Sequence, residues 1–122
     1  MHEQKSLELV KALYKRSQAG RLEWKPVDNN QLRTELGEFT LDLLRVHDQD
    51  YPDEPDYFLT LVDSQGRDVE TISNISLRPL MDQKDEDGLN PYQLFRLTFE
   101  HARRKAFGVD AAVDSVLKKL TS

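Results

Sequence analysis

The sequence predicts an α+β domain: an N-terminal helix, an antiparallel meander of four to five strands, and two C-terminal helices packed on one sheet face. Apolar residues recur at helical spacing at both ends of the chain and alternate with polar ones along its middle. Gly and Asx turn residues separate the alternating runs at short intervals, as hairpins require. At 122 residues, 38% hydrophobic and 32% charged, the chain supplies one modest core, so positions 1–122 read as a single domain.

The first helix is read from Glu3 to Ala19. Leu7, Val10, Leu13 and Tyr14 form one stripe, with Leu9 and Ala12 beside it. Lys11, Lys15 and Arg16 gather toward the negative end of the dipole, and Gly20 suits the left-handed position after a helix. Leu22 and Trp24 alternate with Arg21, Glu23 and Lys25 as a short first strand, which Pro26 ends or places at an edge. Trp24 is expected between helix and sheet. Asp28-Asn29-Asn30 is turn chemistry.

Leu32, Thr34 and Leu36 then alternate with Arg33 and Glu35 as a second strand, and Gly37 allows a tight turn. Phe39, Leu41 and Leu43 make the clearest strand, with a phase change at Leu44 and Val46 that suggests a bulge or an end covered on both faces. Tyr57 to Val62 carries bulk on both faces, as an interior strand does. Asp63-Ser64-Gln65-Gly66 turns the chain into a return strand from Val69 to Asn74.

A long connection, 74–90, leads to Asn90 and Pro91, a helix cap followed by a first-turn proline. Tyr92, Phe95, Phe99, Ala102 and Ala106 line one face of that helix, which Leu94 and Leu97 widen and Gly108 stops. Asp110 is read as the cap of a last helix whose Val113, Val116, Leu117 and Leu120 turn inward.

This order of elements resembles a group of small bacterial and phage-type proteins. The likeness rests on Gly20-Arg21-Leu22-Glu23-Trp24, on Leu36-Gly37-Glu38-Phe39-Thr40-Leu41, on the Tyr57–Gly66 hairpin and on the Ala102–Asp110 helix junction. The loop 48–56 is longer and more acidic than that pattern. The resemblance implies a fold and carries no activity.

Charge is unevenly spread. The stretches Asp48–Asp56 and Asp82–Asp87 hold −5 and −3, which leaves +3 on the remainder of a chain of net charge −5. A globally acidic protein gains little from bulk phosphate attraction. The one positive cluster is Arg103-Arg104-Lys105 with Arg96 and His101, and the seven- and eight-residue spacing brings Arg96, Arg103 and Arg104 near one another. Arg96, Arg103, Arg104 and Lys105 are the candidate binding residues, suited to a phosphate or an acidic partner. Their plainer reading is helix-end cations that suit the dipole or bridge to the acidic loops.

Catalytic patterns are missing from the sequence. His2, His47 and His101 have no ligand partner at i+4, and there are no cysteines. Aligning Gly88 on a calcium loop puts Asp85 and Asp87 at ligand positions, but Gln83 and Leu94 stand where the terminal carboxylates belong. There is no Gly-x-Ser-x-Gly elbow and no glycine-rich phosphate loop. The carboxylates Glu38 and Asp42 alternate on an exposed strand face without the apolar surround that splits a pair of pKa values.

No enzyme, metal or cofactor is therefore expected. The expected role is a non-catalytic interaction domain acting through a protein partner or self-association. The alternative is a nucleic-acid-binding regulator using the basic end of helix 91–107, against which the net charge counts. No apolar run approaches the ~20 residues of a membrane span, and the start, MHEQKSLELV, has no apolar signal core. The expected compartment is the cytoplasm.

Overall fold

The computed structural model describes residues 2–122. Helix α1 (His2–Gln18) leads into strands β1 (Lys25–Asp28), β2 (Gln31–Leu36), β3 (Phe39–Val46), β4 (Asp56–Val62) and β5 (Asp68–Ser73). One 3-10 turn (Arg78–Leu80) then precedes α2 (Pro91–Ala106) and α3 (Val109–Leu120). The class is α+β, with five strands in the order β1-β2-β3-β4-β5, each antiparallel to its neighbour.

The core follows from register. Leu32 lies opposite Leu43, Leu43 opposite Leu59, and Leu59 opposite Ile72. This row of four buried aliphatics crosses one face of the sheet. The stripe of α1 (Leu7, Val10, Leu13, Tyr14) and that of α2 (Leu94, Phe95, Phe99, Ala102) cover it. Tyr57 stacks on Phe95 with ring centroids 6.3 Å apart and meets Phe99 at 5.7 Å. Burial of this phenol, with Tyr92 beside it, pushes its pKa up to about 12. Arg45 is in phase with Leu41 and Leu43. Its guanidinium lies 4.5 Å from the centroid of the Phe99 ring and donates from Nε to Asn30 Oδ1 at 3.1 Å, which closes the core at the strand end.

The opposite sheet face has no helix over it. Arg33 grips Asp42 across β2 and β3, with Nε–Oδ1 at 2.6 Å and Nη2–Oδ2 at 3.3 Å. Thr60 and Thr71 pair their hydroxyls across β4 and β5 at 3.1 Å. Leu44 lies beside Phe58 in register, both half-buried.

Several expectations need correction. Leu22 and Trp24 are buried but not in a strand. The chain approaches the sheet as coil, and Trp24 is held by its indole N–H donating to Ser17 Oγ at 3.0 Å. The first strand begins at Lys25 and contains Pro26. Its place at the sheet edge tolerates a residue without an N–H. β3 pairs without interruption, so Leu44 and Val46 simply face outward. The irregularities fall instead at Pro26/Asp28 and Leu61/Val62.

The connections are tied down by side chains. Asn74 accepts the Tyr57 N–H at 2.7 Å and donates to Asp56 at 3.0 Å. The Tyr92 hydroxyl donates to the Pro55 carbonyl at 2.9 Å, pinning the end of the first acidic loop. In the second, Asp85 Oδ1 accepts the N–H groups of Asp87 and Leu89, and Glu86 meets Lys15 of α1 at 2.5 Å. That contact holds the Lys15 ammonium above its ordinary pKa. Among the described residues no helix is long and apolar enough to cross a membrane.

Candidate functional site

Asn90 starts α2 with a reciprocal capping box: it accepts the Gln93 N–H at 2.8 Å while the Gln93 side chain accepts the Asn90 N–H at 2.9 Å. Pro91 fills the first turn, where its missing N–H costs nothing. Six residues of this helix are buried: Pro91, Leu94, Phe95, Thr98, Phe99 and Ala102. The helix is thereby fixed to the sheet, and its basic C-terminal turn is carried to the edge of the fold.

Two residues then connect α2 to α3. Phe107 donates its N–H to Arg103, and Gly108 donates to Lys105. Gly108 has φ +58° and starts α3 directly, with its carbonyl accepting from Ala112. A side chain is disfavoured in that left-handed conformation, so glycine makes the abrupt turn accessible. Asp110 is therefore not the cap expected from sequence. It sits in the first turn of α3 and pairs with Arg104.

The turn carries α3 away from the sheet, against expectation. No residue of α3 is buried. Val113, Val116 and Leu117 are each 56% exposed and Leu120 is 77% exposed. With Ala112 they line one shallow apolar depression of about 340 Å³ on the outer side of the helix. The half-buried Val109 lies one helical turn before Val113, and Phe107 in the preceding turn is exposed.

The four basic residues singled out from sequence are spread along α2 and are largely engaged. Arg96 pairs with Glu100 at 3.8 Å, one helical turn away. The Arg103 guanidinium lies 5.2 Å from the centroid of the Phe107 ring. Arg104 is taken by Asp110, and Lys105 is exposed. Arg104 and Lys105 share a depression of about 280 Å³ with Ser17, His101 and Asp110 at the junction of the helices. The carboxylate of Asp110 lies in that depression, so its field is not that of a plain anion site. His101 meets the buried Tyr14 edge-on, with centroids 6.3 Å apart. Burial raises the Tyr14 pKa, with Asp87 and Asp85 adding to the shift.

A second apolar depression, about 190 Å³, opens between α1 and the sheet among Leu9, Ala12, Leu22, Leu36 and Leu41. Neither it nor the face of α3 was picked out as a surface from sequence, because both are made of residues whose spacing reads as core. Among the described residues, no group of three His, Cys, Asp or Glu is placed to hold a metal ion.

Against known proteins, no family model, curated protein or solved structure matches the chain.

Proposed function

We propose that this protein is a non-catalytic interaction domain of the cytoplasm whose working surface is the apolar face of α3. The observation that carries this reading is the exposure of Val113, Val116, Leu117 and Leu120 on a helix that contributes nothing to the core. Scattered exposed aliphatics are ordinary, but a contiguous stripe of them marks a surface that another molecule covers. A helix presenting anchors at i, i+3, i+4 and i+7 is also a recurrent mode of docking. The rest of the fold acts as its rigid mount, because α2 is locked to the sheet and the two-residue turn at Phe107 and Gly108 sets the direction of α3.

A photo-crosslinking residue placed at Val116 in living bacterial cells tests this reading, with one at exposed Glu23 as control. Protein adducts are expected at position 116, not at 23, and are expected to vanish when Leu120→Asp is added. Equal adducts at both positions, or none at 116, would overturn the proposal.

A further inference from the structure

We infer that the leucine-lined depression between α1 and the sheet is a binding site for a small apolar monocarboxylate, whose hydrocarbon enters the depression while its carboxylate meets Arg16. The site is separate from the face of α3 and stands or falls without it.

The depression follows from a mismatch in side-chain size. Leu9, Ala12 and Arg16 recur on one face of α1 at helical spacing and face the stretch of sheet that carries Leu36, Leu41 and Leu59. The short side chain of Ala12 lies between two long ones, so the helix leaves the space open there. The floor is buried, with Leu22, Leu41 and Leu59 no more than 4% exposed. The mouth is open: Leu36 is 42% exposed, and Ala12 and Arg16 are exposed as well. A path therefore runs from solvent to the aliphatic row at the middle of the core.

Arg16 is the only residue with a polar side chain lining the depression. Among the described residues its guanidinium has no ion-pair or hydrogen-bond partner. The dipole of α1 accounts for a cation near the helix end, but not for an unpaired one set against an apolar hollow. Small-molecule sites have this composition, with mostly apolar walls and a few polar groups that fix orientation. The polar group here is a cation, so the complementary head is an anion. One guanidinium balances one negative charge, and its planar fork matches a carboxylate.

Volume limits the tail. The depression measures about 190 Å³, and an apolar cavity of about 150 Å³ is large enough for benzene. A hydrocarbon of about six carbons therefore fits, well below the roughly 300 Å³ at which sites for drug-sized ligands begin. Hexanoate is the matching probe.

Titrating the full chain, its leucine methyls isotope-labelled for NMR, with sodium hexanoate at neutral pH tests the site. The methyl signals of Leu9, Leu22, Leu36 and Leu41 are expected to shift together and saturate with a Kd of about 1 mM, while Leu117 on α3 stays still. Each methylene removed from the ligand should weaken binding about fourfold. Arg16→Gln should weaken hexanoate at least about threefold and leave hexanol unchanged. Ala12→Leu, at an exposed helix position that leucine suits, should fill the mouth and weaken both ligands at least about tenfold.

No saturable shift at the lining leucines up to about 20 mM hexanoate overturns the inference. So does a shift shared equally by Leu117, or an Ala12→Leu variant that binds as the parent does. Equal losses of hexanoate and hexanol in Arg16→Gln overturn the seat of the carboxylate on Arg16. Shifts at the same leucines that follow protein concentration without ligand would give the hollow to a second copy and overturn the inference as well. None of these outcomes bears on crosslinking at Val116, so the two proposals fail separately.

Discussion

Helices α2 and α3 follow one another with only Phe107 and Gly108 between them, and both are amphipathic. One contributes six buried residues and the other none. The stripe of α2 is rich in aromatics that fit against Tyr57 and the aliphatic row of the sheet. The stripe of α3 is made of smaller aliphatics and begins after a left-handed turn that carries it off the sheet. An apolar stripe shows that a face needs cover. It does not show whether the cover is the same chain or another molecule.

The largest expected effect lies on α2. Phe99→Ala empties the point where Tyr57, Arg45 and the sheet converge. It should cost about 3–5 kcal/mol, read as a lower urea midpoint. A loss under about 1 kcal/mol would mean that α2 is not the main roof of the sheet.

Next comes the pH dependence of the phenol beneath α2. Tyr57 keeps its proton in the fold until about pH 12, whereas the ordinary value is 10.0. Between those values the unfolded chain has lost the proton and the fold still holds it. Stability therefore falls as pH rises from 10 toward 12, by up to about 3 kcal/mol. Tyr57→Phe should flatten that part of a stability–pH curve. An unchanged slope would show that other groups set it.

Ser17→Ala probes the join between α1 and the coil before β1. It leaves the buried indole N–H of Trp24 without its acceptor and should cost about 1–2 kcal/mol, seen as a drop in Tm. No measurable drop would mean that water replaces the hydroxyl there.

The smallest effect is expected on α3. Leu117→Ser, studied at a dilution where the chain is monomeric, should change stability by no more than about 0.5 kcal/mol. A loss matching that of Phe99→Ala would show that α3 is packed against its own domain in solution.

Much of the fold is legible in the residues themselves. The alternation in Leu32–Leu36, Phe39–Leu43 and Tyr57–Leu61 marks strands because period two is the pleat. The pair Asn90-Pro91 marks a helix start because one supplies an acceptor and the other lacks a donor that would go unused. The errors share a cause. Leu22 and Trp24 alternate like a strand, but burial of coil produces the same pattern. Leu44 and Val46 look like a break in phase only if the outer face must be polar, which an open sheet face does not require.

The candidate site was less legible. Arg96, Arg103, Arg104 and Lys105 stand out in the sequence because charge clusters are visible there. The positions of Glu100, Phe107 and Asp110 around the three arginines appear only in the fold. The face of α3 was visible as a stripe and assigned to the interior.

By itself the sequence determined most of the elements and their kind, because periodicity, caps and turn residues are local properties of the backbone and its immediate side chains. It also determined that Val113, Val116, Leu117 and Leu120 share a face. Only the tertiary structure decided that this face is left uncovered. Burial depends on where a rigid element is pointed, and that direction is set by one turn at Gly108 and by the competition of α1 and α2 for a sheet face with room for two helices.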